Sequence, residues 1–340
     1  MTANQDDHES PRDEQPDARE HWFAAIEYWN AKAVAATTAG QYEEADAALA
    51  EMRRLDPTGG ELFRYNQGIT KHWFDKAVAA ATAGQYEEAA AAMAELKRLD
   101  PTGSELYYNQ GITLSRLKRY DDALAAYQKA IELNPTDKRV YLNMGYLLDE
   151  HLQRPAEALA AYENAIRLAP RDAGAYVGKG VALASLQRHQ EALRAYEQAI
   201  ELDPTDAVAY YNLGNTYCDL DHYQEALSAY EKAIQCDVSY AWAYVGKGYA
   251  LGALERYEEA VEALVPAIHL DPGPTEAYHY QGDFLMELQR YQEALAAYEQ
   301  AIRLDPTNAM TYRNKARILE LLGRIPEAQQ ADAQAQELEA

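Results

Sequence analysis

Apolar and small residues recur along this chain three and four positions apart, with charged residues between them, a spacing that predicts helices. Tyr210, Gly214 and Tyr217 share one helical face, and Ala226, Tyr230 and Ala233 share another shortly after. Short polar stretches such as Gln187, Arg188, His189 and Gln190 separate the paired segments, as helix–helix connections do. Prolines then close most pairs, at Pro101, Pro135, Pro170, Pro204, Pro272 and Pro306, with Val238 standing where one is missing. Proline has no N–H and disfavours helix in the residue before it, so it is expected to stop each second helix. The prediction is a series of helical hairpins about 34 residues long, with one step of 35 whose extra residue is expected around His151 to Pro155.

Other columns keep the same phase. Small residues recur at Gly111, Gly145, Gly180, Gly214, Gly248, Gly282 and Ala316. A ring recurs at Tyr127, Tyr162, Tyr196, Tyr230 and Tyr298, with Leu264 substituting once. Alanines recur at Ala123, Ala158, Ala192, Ala226, Ala260, Ala294 and Ala328. Small residues let two helix backbones approach closely while the ring fills the space beside them.

The order Tyr210, Leu213, Gly214, Tyr217, Ala226 and Tyr230 resembles the tetratricopeptide repeat family, with Tyr in place of Trp. The resemblance implies an all-α fold, a right-handed superhelical solenoid of antiparallel helix hairpins, about nine in number. It covers residues 104–308 as six regular units. Residues 309–340 depart from it, with Asp332 where the ring belongs, and read as a degenerate capping hairpin. Residues 21–103 read as two lengthened, duplicated hairpins, because Thr38-Ala-Gly-Gln-Tyr-Glu-Glu-Ala recurs from Thr82. Residues 1–20 read as a disordered acidic tail, the opposite of a signal peptide.

Composition narrows the partners. The net charge of −24 disfavours nucleic acid and anionic membrane surfaces, and favours basic or apolar peptides. No run is long and apolar enough for a membrane span, and a cytoplasmic location is the expectation. Cys218 and Cys236 have no metal-binding spacing and read as reduced packing or surface residues.

Candidate chemistry is sparse. Gly178-Lys179-Gly180 and Gly246-Lys247-Gly248 look like fragments of a phosphate loop, but they fall inside the small-residue helix column and read as packing. The histidines form no HExxH or His/Cys cluster. Acidic pairs such as Glu258-Glu259 open second helices, where they face the positive end of the helix dipole. The expectation is a non-enzyme without catalytic residues, cofactor or metal.

Function is therefore expected on the first helices, where Val208, Tyr211, Asn212, Asn215, Cys218 and Asp219 lie off the packing face of their unit. Family resemblance implies that these columns line a peptide groove, a concave surface holding an extended or helical segment. The candidate residues are Tyr108 and Asn109, Asn143 and Tyr146, then Tyr211, Asn212 and Asn215, then Trp242 and Tyr249, and last His279 and Tyr280. Asparagine amides both donate and accept, so a ladder of them suits a peptide backbone, although asparagine in this column also has a structural reading. The groove columns carry acids at Glu105, Asp149, Glu150, Asp219, Glu276, Asp283, Glu287 and Glu320, and basic groups only at Arg116, Arg139, Arg313 and Arg317. Relatives that clamp acidic chaperone tails use lysine there, and these columns have none. From Gly174 to Ala253 the channel reads as neutral, aromatic and opened by glycines, suited to an apolar ligand with basic flanks. The alternatives are a self-assembling scaffold, a homo-oligomer, or a peptide-sensing regulator acting through a partner.

Overall fold

The computed structural model describes residues 104–270 and 274–339 continuously, with scattered positions between 25 and 92. The expected tail and most of the two lengthened hairpins lie outside the described residues. Two compact units divide the chain, Met1–Pro135 and Thr136–Ala340. In the first, α1 (Ser104–Arg116) pairs with α2 (Tyr120–Leu133). In the second, α3 (Lys138–Tyr146) pairs with α4 (Pro155–Leu168), α5 (Ala173–Ser185) with α6 (His189–Leu202), and α7 (Ala207–Asp219) with α8 (Tyr223–Cys236). The series continues with α9 (Ala241–Ala253) and α10 (Tyr257–His269), α11 (Thr275–Glu287) and α12 (Tyr291–Leu304), and α13 (Ala309–Leu321) and α14 (Ile325–Glu339). No strand occurs among the described residues.

Within the second unit each second helix also packs on the first helix of the following hairpin, so one core runs through the solenoid. The alanine columns are buried, and so are the rings of Tyr196, Tyr230 and Tyr298. A Cβ built on Gly214 would lie 2.7 Å from the Tyr230 ring, and one on Gly246, in the next hairpin, 2.5 Å from the same ring. Real Cβ atoms do not approach so closely, so Tyr230, like Tyr162 between Gly145 and Gly178, is held between glycines of two hairpins, while Tyr127, Tyr196 and Tyr298 each meet one glycine. This explains the Gly-Lys-Gly triplets. Their glycines receive rings or, at Gly248, Leu264, while Lys179 and Lys247 form ion pairs with Glu163 and Glu231 at 3.1 and 2.9 Å.

The turns inside the hairpins share one geometry. Gln187 adopts φ +60°, its N–H donates to the Ala184 carbonyl and that of Arg188 to the Leu183 carbonyl. This is the left-handed helix terminus usually served by glycine. Lys118, Gln153, Asp221, Glu255 and Gln289 repeat the positive φ, and among the described residues only the last turn uses glycine, Gly323. The connection is shorter than the sequence suggests, since α6 already begins at His189. The residue after each left-handed position is an arginine in most hairpins, and it bridges a glutamate three residues on, as Arg188–Glu191 and Arg256–Glu259 do. The acids that open the second helices are thus held by ion pairs as well as by the helix dipole.

Two expectations need correction. Helix α8 ends at Cys236, as the others do before proline, although Val238 stands at the proline position. Asp237 accepts from the Ser239 N–H at 2.8 Å, the same turn that Asp203 and Asp305 make with Thr205 and Thr307. An aspartate that binds the backbone two residues on can end a helix without proline. The extra residue of the 35-residue step is absorbed earlier than expected, in a π-helical turn over Leu147–His151. That turn buries Asp149, which is 7% exposed, and burial raises its carboxyl pKa above the usual carboxylate value.

Candidate functional site

First helices begin where a side chain caps them. Asp206 accepts from the N–H groups of Val208 and Ala209, and Asn308 from that of Thr311. Helices α9 and α11 break this rule, because Tyr240 and Pro274 stand at their caps and bond no backbone N–H through a side chain. The Tyr240 ring instead meets Tyr211 edge-on, with centroids 5.2 Å apart. Burial pushes the Tyr240 hydroxyl up to about 12.

The candidate residues separate into distinct environments. In the first unit, the Tyr108 ring lies 6.3 Å from the Tyr127 ring, and the Asn109 carbonyl accepts the Thr113 hydroxyl. In the second unit, Asn143 is half-buried on α3, and Tyr146 is 55% exposed, 5.7 Å from the His151 ring. On α7, Asn215 accepts the hydroxyl of the buried Tyr230 at 2.7 Å. Burial raises the Tyr211 hydroxyl, while a hydrogen bond with Asn215 draws it back. Among the described residues nothing bonds the Asn212 side-chain amide, and its carbonyl accepts the Thr216 hydroxyl.

On α9, Trp242 is 42% exposed and Tyr249 39%. Seven residues apart, the two rings share a face two turns from each other. Tyr249 meets Tyr280 of α11 at 5.5 Å and Tyr223 at 6.5 Å, and Tyr280 stacks on Phe284 at 6.2 Å. His279 is turned inward, its Nδ1 2.9 Å from the Thr311 hydroxyl and its Nε2 3.4 Å from the Asp283 carboxylate. Asp283 also accepts the Tyr298 hydroxyl at 2.6 Å and the Asn314 amide at 2.9 Å.

The expectation that core packing leaves the groove columns unclaimed therefore fails at Asn215, His279 and Asp283. His279 is engaged by Thr311 and Asp283, and at Asn215 and Asp283 the reason is the hydroxyl of the ring column. A buried tyrosine needs a partner for its O–H, and for Tyr230 and Tyr298 the residue fifteen positions earlier on the first helix supplies it. Tyr211, Trp242, Tyr249 and Tyr280 form a run of rings over three successive first helices, with the Asn212 amide on the first of them. Sequence reasoning missed Tyr240, whose signal is a ring in the capping column that aspartate holds at Asp172 and Asp206.

A second concavity, of about 600 Å³, opens between α8, α9 and α10 beside Leu227, Tyr244, Leu251 and Pro266. Its rim carries the Lys247–Glu231 and Arg256–Glu259 pairs together with Glu262, for which no ion pair occurs among the described residues. Cys218 and Cys236 are both free. Among the described residues no group of His, Cys, Asp and Glu could hold a metal ion, and no helix is long and apolar enough to cross a membrane.

Protein-family models described as tetratricopeptide repeat match residues 61–104, 104–137, 126–160, 207–240, 245–309 and 297–330, and one described as TPR repeat matches 180–221. Among solved structures, the chain is similar to the Cut9–Hcn1 hetero-tetramer of APC/C, at 15% identity and a TM-score of 0.60 over 91% of this chain and 60% of that one. It is also similar to a tetratricopeptide repeat protein from Parabacteroides merdae ATCC 43184, at 16% identity and 0.58 over 77% and 99%. YrrB, described as a TPR protein with an unusual peptide-binding site, aligns at 26% identity and 0.43 over 55% and 95%. The first two likenesses bear on the fold alone. No curated protein matches.

Proposed function

We propose that this chain, which belongs to the tetratricopeptide repeat family, is a non-catalytic protein-interaction scaffold that holds a peptide segment along α7, α9 and α11. The observation that carries the reading is the run of rings Tyr211, Trp242, Tyr249 and Tyr280, two of them exposed, beside the Asn212 amide, which bonds none of the described residues. Aromatic rings bury large area at low entropic cost, and they dominate the energy of many interfaces. The Asn212 amide can donate to and accept from one peptide unit of a ligand.

The test is selection of a displayed library of random dodecapeptides on the wild-type protein, followed by titration of the selected peptides. Tyr211→Ala combined with Trp242→Ala is expected to weaken them by at least about tenfold, ~1.4 kcal/mol, with unchanged helicity by circular dichroism. Equal affinity for wild type and variant, or no selected peptide at all, overturns the groove.

A further inference from the structure

Glu276 opens α11 one helical turn before Tyr280, so the two side chains lie on the same face. The carboxylate is exposed, and among the described residues it meets no cation. Some exposed acids of this unit are matched, Glu231 with Lys247, Glu259 with Arg256 and Glu299 with Lys315, while among the described residues Glu276, like Glu258, Glu262 and Glu287, is not; what sets Glu276 apart is the rings beside it. Burial raises the Tyr211 and Tyr280 hydroxyls most, Glu276 stands close enough to add to both shifts, and Tyr211 adds to that of Tyr280. Tyr249 reaches the same place from α9 through its 5.5 Å contact with Tyr280. Helices α7 and α11 contain no lysine or arginine, and the only one on α9, Lys247, is held by Glu231 on α8.

An unmatched carboxylate among rings favours one kind of ligand. An apolar side chain laid here would strip water from Glu276 and leave it unpaired, which is costly. An anion would be repelled by the carboxylate and by the net charge of −24. A cation gains from both the carboxylate and the ring faces. Guanidinium fits better than ammonium, since it is planar, stacks on aromatic faces, grips a carboxylate with two N–H groups and is less strongly hydrated. We infer that Tyr211, Tyr249, Tyr280 and Glu276 form a receptacle for the side chain of an arginine carried by the bound peptide. The inference rests on the groove reading above and names the chemistry of its ligand.

The peptides selected from the random library test it. Those lost on the Tyr211→Ala/Trp242→Ala variant are expected to share an arginine. Replacing that arginine by citrulline, which keeps the shape and removes the charge, is expected to weaken binding about tenfold. Glu276→Gln is expected to weaken the arginine peptide by a similar factor and leave the citrulline peptide unchanged. Because Glu276 is exposed, the melting curve of that variant should match the wild type. Tyr280→Phe keeps the ring and should retain binding, while Tyr280→Leu should lose it. Groove-dependent peptides without arginine, or with lysine preferred, or indifferent to citrulline or to Glu276→Gln, overturn the receptacle and leave the groove standing. Peptides that do not depend on Tyr211 and Trp242 overturn the groove and the receptacle with it.

Discussion

The hairpins α7/α8 and α9/α10 are neighbours in one core, yet they solve the same packing problem differently. In the first, Tyr230 fills the space between helices and sends its hydroxyl to Asn215. In the second, Leu264 fills that space, and it has no hydroxyl to satisfy. The position fifteen residues earlier is then released from that duty, and Tyr249 stands there 39% exposed. The cap changes as well, from Asp206 to Tyr240, and Pro266 takes an N–H out of α10. What the first helices expose at the candidate site is thus decided in part by the residue buried beneath it on the second helix.

The largest expected effect tests the ring itself. Tyr230→Ala empties space shared by two hairpins and should cost about 3–5 kcal/mol, read as a lower urea midpoint. A loss no greater than that of an exposed alanine substitution would show that the ring column is not what joins the hairpins. The middle effect turns one hairpin into the other. Leu264→Tyr should destabilise by about 1–3 kcal/mol, because a larger ring must enter a fully packed site and its hydroxyl meets the Tyr249 ring where Tyr230 meets an amide. Adding Tyr249→Asn recreates the Tyr230–Asn215 arrangement and should recover about 1 kcal/mol of that loss. Simple additivity of the two substitutions would break the account of position 249. The smallest effect concerns the shared turn. Glu255 has φ +60°, and Glu255→Gly should stabilise by up to about 1 kcal/mol, as a few degrees in melting temperature. A destabilised variant would mean that the Glu255 side chain contributes more than its backbone geometry loses.

Much of the fold was legible because the repeat writes the same spacing many times. Glycine and ring columns in phase require two helices that touch, whatever lies elsewhere. Prolines were a weaker guide, since α8 ends at Cys236 through the Asp237–Ser239 turn just as well with Val238 in the proline position. The rings of the candidate site were legible too, at Tyr211, Trp242, Tyr249 and Tyr280. The fate of the polar candidates was not. Asn215 and His279 look like ligand-facing groups in their columns, yet Tyr230 and Thr311 engage them. A column specifies the face of a helix, while a hydrogen bond depends on which atom arrives there from another helix.

The sequence by itself determined the hairpin period, the all-helical class, the buried ring and alanine columns, and a strongly acidic surface. Those features follow from helical geometry and composition, which are local. Only the tertiary structure decided where the inserted residue went, which candidate positions a core hydroxyl engages, and that Glu276 stands near rings of other helices with no cation beside it among the described residues. These depend on distances between segments far apart in the chain, and short-range spacing does not encode them.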